Sequence, residues 1–312
     1  MTTPHAHFVV TAPPHLFLGD DVRGVMRDVL VALLPALAAA GWFFGARALA
    51  VTAVTSAACV AAEWAFQRLA GRPVRVNDLS ALVTGVLLAF CLPPGIPFWM
   101  AALGGAFAIV LGKEVFGGLG HNLFNPALAG RAALLAAYPV AMTSWPAPLR
   151  GGLDAVASAT PLAAAKTSGA ALDWLSLGMG SVSGSLGETS AAALLLGGLY
   201  LLWRGVIDWT IPVSYLGAVA LLCLALGRDP VGHLLAGGLI LGAFFMATDY
   251  VTSPMTRRGR LAFGAGCGVL TVLIRLYGGF PEGVCYAILI MNALTPLIDR
   301  FTMPRPFGSG PA

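Results

Sequence analysis

The stretch TGVLLAFCLPPGIPFWMAALGGAFAIVLGKEVFGGLGHNLFNPALAGR, residues 84–131, carries the fold in outline. Two apolar, glycine-bearing runs flank a break at Pro93–Pro94, and a third run opens on Asn122, Asn125 and Pro126. A helix crossing a bilayer needs roughly 20 mostly apolar residues, and the first two runs are of that kind. A related order recurs at residues 237–300. There a Gly-rich run meets a break at Ser253–Pro254, and a second one ends at Gly278–Gly279. A last run then holds Asn292 and Pro296. Two readings account for the likeness: the shared composition of Gly-rich helices, or a true internal repeat.

The rest of the chain is of the same character. Of 312 residues, 58% are hydrophobic and only 10% are charged, with a mean hydropathy of +0.83. Soluble domains carry roughly 25% charged residues, so this chain lacks the polar surface to sit in water. It reads as one polytopic integral membrane domain. Its 39 glycines suit helices that pack through small residues in lipid. The formal charge of +4 is a membrane-orientation signal and not a nucleic-acid footprint. The N-terminal residues lack the basic-then-apolar pattern of a cleaved signal peptide.

Candidate spans fall at 28–44, 48–67, 79–95, 98–114, 122–140, 190–206, 211–227, 231–248, 261–277 and 281–298. Arg23 and Arg27, then Arg68, Arg72 and Arg75, then Arg257, Arg258 and Arg260, then Arg300 and Arg305 all fall on one side of such a ten-span chain. The positive-inside rule makes that side cytoplasmic, with both termini on it, and places residues 141–189 outside. The two related stretches begin five spans apart and so run in opposite directions, as in inverted-repeat transporters. The expected fold is an all-α integral membrane protein of about ten transmembrane helices in two inverted five-helix repeats, 28–140 and 190–298. A cytoplasmic segment 1–27, an extracytoplasmic loop 141–189 and a cytoplasmic tail 299–312 complete it.

Charge at membrane depth is costly, so polar residues in these spans are either end groups or functional. Lys113 and Glu114 close the fourth span, where an interfacial position is the plain expectation. Asn125–Pro126 and Asn292 with Pro296 are either repairs of helix breaks or ligand contacts. Asp249 follows the eighth span, where it caps a break or meets a ring-shaped ligand. His121 and His233 stand alone and are expected to be satisfied by packing. The five cysteines, Cys59, Cys91, Cys223, Cys267 and Cys285, are scattered singly and are expected to be small buried residues.

The long segment 141–189 contains LDAVASATPLAAAK, residues 153–166. Loops of that length are usually functional or disordered. Small residues leave the peptide accessible, and Pro161 disfavours helix at Thr160. A threonine hydroxyl has no reactivity of its own at neutral pH, so any modification needs an enzyme that reads the flanking residues. By itself, a Ser or Thr in an Ala-rich loop is commonplace.

DAVASAT, residues 154–160, resembles the flavinylation site of the family shared by the D subunit of the Rnf ion-translocating electron-transport complex and the B subunit of the sodium-pumping NADH:quinone reductase. That family's Asp-x-x-[Ser/Thr]-Gly-Ala-Thr sequence is matched at Asp154, Ala159 and Thr160. Ala157 and Ser158 stand at the Ser/Thr and Gly positions. Three longer blocks resemble the Rnf D protein in order: PPHLFLGDDVRGVMRDVLVALLPALAA, GGLGHNLFNPALAGRAALLAAYPVAMTSW and the region from Met246 to Arg300. The resemblance implies FMN joined to Thr160 through a phosphodiester, with Asp154, Ser158 and Ala159 completing the recognition motif. It also implies a second, non-covalent flavin, riboflavin, near the cytoplasmic side, for which Asn125, Asn292 and Asp249 are the candidates. The implied role is a flavin relay in the inner membrane of a bacterium, within a complex moving electrons between ferredoxin and NAD coupled to Na+ or H+ translocation. Implied partners are the A, B, C, E and G subunits of that complex, a flavin transferase, ferredoxin and NAD through the complex, and membrane lipid. The chain has no GxGxxG after a strand, so NAD reduction is expected elsewhere in such a complex. Two other classes compete: an inverted-repeat solute transporter or channel without a redox cofactor, and a passive scaffold.

Overall fold

The computed structural model describes residues 21–146, 148, 160–168, 172–188, 190–279 and 282–304. No β-strand occurs among the described residues. The α-helices of more than four residues are α1 (Val22–Phe44), α2 (Ala46–Leu69), α3 (Ser80–Phe90), α4 (Phe98–Ile109), α5 (Pro126–Ala137) and α6 (Pro161–Ser168). They continue with α7 (Trp174–Met179), α8 (Ala191–Trp203), α9 (Thr210–Ala225), α10 (Pro230–Leu235), α11 (Arg257–Tyr277) and α12 (Val284–Thr302). Four of them, α1, α2, α11 and α12, are long and apolar enough to cross a membrane. The helices α3, α5, α8 and α9 are apolar but shorter.

The distribution of polarity is that of a membrane protein. Large apolar side chains such as Leu34, Trp42, Leu103, Leu196, Leu221 and Leu224 face outward, while Asp28, Glu63, Lys113, Glu114, Arg131 and Arg275 are buried. A water-soluble chain shows the reverse, since charged residues are almost never fully buried and large apolar surfaces are hidden.

Helix packing follows the glycines. The helices α1 and α8 lie against each other, α2 against α3 and α4, α4 against α5, and α9 against α11. A Cβ added at Gly197 would stand 2.0 Å from the carbonyl oxygen of Ala32, so α1 and α8 approach as closely as they do because that position has no side chain. In lipid, where the hydrophobic effect does not press helices together, such close packing supplies much of the association energy.

Each expected span contains helix, with departures that have local causes. The eighth is not continuous. The helix α10 ends before Gly237 and Gly238, both at positive φ (70° and 65°), and helix resumes at Leu239–Leu241 and a π-helical turn, Gly242–Met246. Glycine alone adopts that conformation without strain, and the pair breaks the helix. The fifth span starts as helix only at Pro126, with Asn125 as its cap. The fourth ends in a second π-helical turn, Val110–Glu114. The loop 141–189 is not without structure, for it holds α6, α7 and a 3-10 turn, Leu186–Glu188, that packs on α3.

Candidate functional site

Thr160 is only 4% exposed and caps α6. Its Oγ1 accepts from the Ala163 N–H at 3.2 Å, and its carbonyl accepts from Ala164 N–H at 2.9 Å. Pro161 at the first helical position explains the local structure, because its fixed φ suits a helix start and its missing N–H is not needed there. Beside Thr160 lies a small, nearly filled cavity lined by Leu162, Leu177, Val182, Ala236, Glu188 and Glu282. Its walls are largely apolar, and Glu188 Oε1 is buried in it without a hydrogen-bond partner. Asp154, Ser158 and Ala159 lie outside the described residues.

Glu188 and Glu282 also line a second small cavity, with Arg131, Cys91 and Cys285. There Arg131 of α5 forms an ion pair with Glu282, just ahead of α12. These three charged groups were not anticipated from the sequence. Arg131, a lone charge in an apolar run, was the one available signal, since charge at membrane depth marks a partner or a function.

The residues assigned to a second flavin divide. Asn125 and Asn292 come together: with its amide oriented to suit its neighbours, the Asn292 oxygen accepts from Asn125 N–H at 3.1 Å and its nitrogen donates to Ile288 O at 3.3 Å. The Asn125 oxygen accepts from the N–H groups of Ala127 and Leu128 at 3.0 and 3.3 Å, and its nitrogen donates to Met246 O at 3.2 Å. Asn125 thus caps α5 and satisfies a carbonyl at the π-helical break. Asp249 holds its own turn, accepting from Thr252 Oγ1 at 3.1 Å. Asn125 and Asp249 share a cleft of about 760 Å3, counting its open mouth, with Lys113, Asn122, Thr248 and Phe244. Asn292 stands behind Asn125 and does not line it. This cleft shares no lining residue with the Thr160 cavity.

Lys113 and Glu114 depart from the interfacial expectation. They are 2% and 1% exposed, and both have partners. Lys113 Nζ lies 2.5 Å from Glu63 Oε1 and 2.5 Å from Ser80 Oγ. Glu114 accepts from Gln67 Nε2 at 3.2 Å and faces Arg72 at 3.9 Å. His121 is exposed rather than packed away, and His233 Nδ1 is buried without a partner. All five cysteines are buried free thiols, as expected.

Residues 9–308 match the family described as NQR2, RnfD, RnfE. The chain belongs to that family. It is 50% identical over 307 residues to the D subunit of the Na(+)-translocating ferredoxin:NAD(+) oxidoreductase complex of Acetobacterium woodii, covering 97% of this chain and 96% of the relative. It is 46% identical over 319 residues to the D subunit of the proton-translocating ferredoxin:NAD(+) oxidoreductase complex of Clostridium ljungdahlii, with the same coverage of 97% and 96%. With the D subunit of the ion-translocating oxidoreductase complex of Halorhodospira halophila it shares 43% over 340 residues, 96% of this chain and 95% of the relative. Membership of the NQR2, RnfD, RnfE family and the outward-facing apolar surface agree on a membrane subunit.

Proposed function

We propose that this chain is the membrane subunit of an ion-translocating ferredoxin:NAD oxidoreductase, bearing FMN on Thr160 and relaying electrons in a chain coupled to Na+ or H+ movement. The observation that carries the reading is the position of Thr160, the last residue of the flavinylation-like motif, at the start of α6 beside a mostly apolar cavity. Similarity to complex subunits over nearly the whole chain supports the same assignment. Those two relatives are named for different ions at 50% and 46% identity, so overall likeness does not select the ion.

The residues present fit a phosphodiester on Thr160. The capping bond uses the hydroxyl oxygen as an acceptor, and an ester oxygen keeps its lone pairs, so attachment and capping are compatible. The dipole at the start of α6 favours a negative phosphate there. Leu162, Leu177 and Val182 offer apolar surface to a ring, and the unpartnered Glu188 oxygen is an acceptor for one of its N–H or hydroxyl groups. The bound flavin supplies one- and two-electron redox chemistry, while the chain positions it and limits water. Behind the cavity, the Arg131–Glu282 pair closes the inner wall.

In this reading the fold is two inverted five-helix repeats, both termini are cytoplasmic and Thr160 faces the periplasm of a bacterial inner membrane. The cleft of Asn125 and Asp249 is the candidate for a non-covalent flavin such as riboflavin, with Asn292 acting through Asn125. The partners are the A, B, C, E and G subunits of an Rnf complex, ferredoxin and NAD through them, and a flavin transferase. The test is intact mass and in-gel fluorescence of the protein co-expressed with that transferase, wild type beside Thr160→Ala. A fluorescent band with an FMN-sized mass increment, lost in the variant, is the expected result. A dark wild-type band with the transferase active on a control overturns covalent attachment.

A further inference from the structure

A basic cleft next to α6 has no part in the relay. It lies between α6, α10 and the end of α11, encloses about 650 Å3 with its mouth, and is lined by Lys166, Arg228, His233 and Arg275 with apolar walls from Leu162 and Leu276. The four basic groups come from four places in the chain: α6, the turn after α9, α10 and the last turn of α11. No single helical face gathers them; only the tertiary fold does.

Two of the four present buried nitrogens with nothing to bond. Arg275 is 3% exposed. Its Nη1 donates to His233 O at 2.6 Å and its Nη2 to Ala236 O and Gly237 O at 2.8 and 3.3 Å, but its Nε has no partner. His233 Nδ1 is also buried and unpartnered. Native interiors rarely leave such groups unmatched, and the cost rises when the group is charged.

Among the described residues the missing acceptor is not supplied. Among the described residues no carboxylate lines the cleft. Asp229, next to Arg228, is turned onto its own helix, where it accepts from Val231 and Gly232 N–H at 3.1 Å each, and it also accepts from Trp174 Nε1 at 2.6 Å. Lys166 donates to the Gly278 carbonyl, which ties α6 to the end of α11 and leaves the positive charge in place. A buried guanidinium, an ammonium, a second guanidinium and an imidazole around one space supply three positive charges and a further polar nitrogen, which suit a multiply charged oxyanion such as phosphate.

We infer that this cleft binds a phosphate-bearing anion, from one of two sources. One is an anionic phospholipid headgroup, with its acyl chain along Leu162 and Leu276; the other is free phosphate. The cleft shares Leu162 with the Thr160 cavity, but none of its four basic residues lines that cavity.

The test uses the full chain and a Lys166→Gln/Arg228→Gln double variant, which leaves Arg275 and its three carbonyl bonds intact. Purified protein is titrated with inorganic phosphate against chloride at matched ionic strength, with thermal unfolding as the readout. In parallel, protein in nanodiscs of mixed phosphatidylglycerol and phosphatidylcholine is released for native mass spectrometry. A saturable phosphate response assigns free phosphate; retention of phosphatidylglycerol over phosphatidylcholine without it assigns the headgroup. Either is expected to weaken by about tenfold or more in the double variant, as loss of two charge-assisted contacts implies. Wild type that responds to neither probe, or a variant that responds as wild type does, overturns the proposal. The wild-type titrations decide it even where the double variant fails to fold.

Discussion

Glu63 of α2 and Lys113, in the π-helical turn that ends α4, meet at 2.5 Å in the interior, with side-chain exposures of 1% and 3%. Lys113 also reaches Ser80 Oγ at the start of α3, so one ammonium ties three helices together. Breaking a buried pair from one side leaves an uncompensated charge and costs about 3–5 kcal/mol, whereas replacing both partners with apolar groups can be neutral. Glu63→Leu alone should therefore destabilise the protein by that order, and Glu63→Leu/Lys113→Met should recover most of the loss. Unfolding of the two variants in detergent checks this, and a double variant no better than the single one contradicts it.

Thr160 has two separable jobs, capping α6 and, in the proposed function, carrying FMN. Thr160→Ala should lose both, with about 0.5–2 kcal/mol from the cap alone. Thr160→Asn keeps a capping oxygen without an esterifiable hydroxyl, so it should match wild type in protease resistance of α6 yet stay dark in gel. Thr160→Ser should keep the cap. If Thr160→Asn is as labile as Thr160→Ala, the cap is not what holds this segment.

The Asn125–Asn292 contact predicts unequal costs. Asn292→Leu leaves the buried Asn125 N–H unpaired and should cost about 1–3 kcal/mol. Asn125→Asp keeps the oxygen that caps α5 but loses the donor to Met246 O, while Asn125→Ala loses both. The melting temperature should fall in the order wild type, Asp, Ala. Equal melting of the Asp and Ala variants would show that the cap contributes nothing.

Gly197 faces Ala32 too closely for any Cβ. Gly197→Ala should separate α8 from α1 and cost about 1–3 kcal/mol through overpacking. Melting that is unchanged would mean the two helices can part without loss.

Asp208 sits outside the helices. Desolvation alone would raise its carboxyl, but hydrogen bonds from the Thr210 N–H and hydroxyl and the Arg260 guanidinium outweigh it and hold the carboxyl below the usual range. A depressed folded-state value means stability that is present above the unfolded value, about 3.9 for Asp, and lost as pH falls through the folded one. Wild type should thus lose stability below about pH 4 more steeply than Asp208→Asn. Parallel acid-unfolding curves would contradict that.

Hydropathy is a property of contiguous residues, so the sequence alone determined the class of protein and the apolar stretches that hold the longer helices, but not the short helices inside 141–189. It also determined the isolation of Thr160 and Pro161 in a small-residue segment, because a helix start needs only neighbours in the chain. The break inside the eighth span at Gly237–Gly238 was not read from the sequence, because positive φ is not written in composition. What the tertiary structure alone decided is which polar groups meet. Lys113 and Glu63 are 50 residues apart, Arg131 and Glu282 are 151 apart, and Asn125 finds Met246 at a separation of 121. The basic cleft needs three helices and a turn to bring its three cations and one imidazole together. A buried charge requires a partner, but its identity depends on which helices pack side by side. Helix packing is set by non-local contacts such as Gly197 on Ala32, which no local pattern encodes.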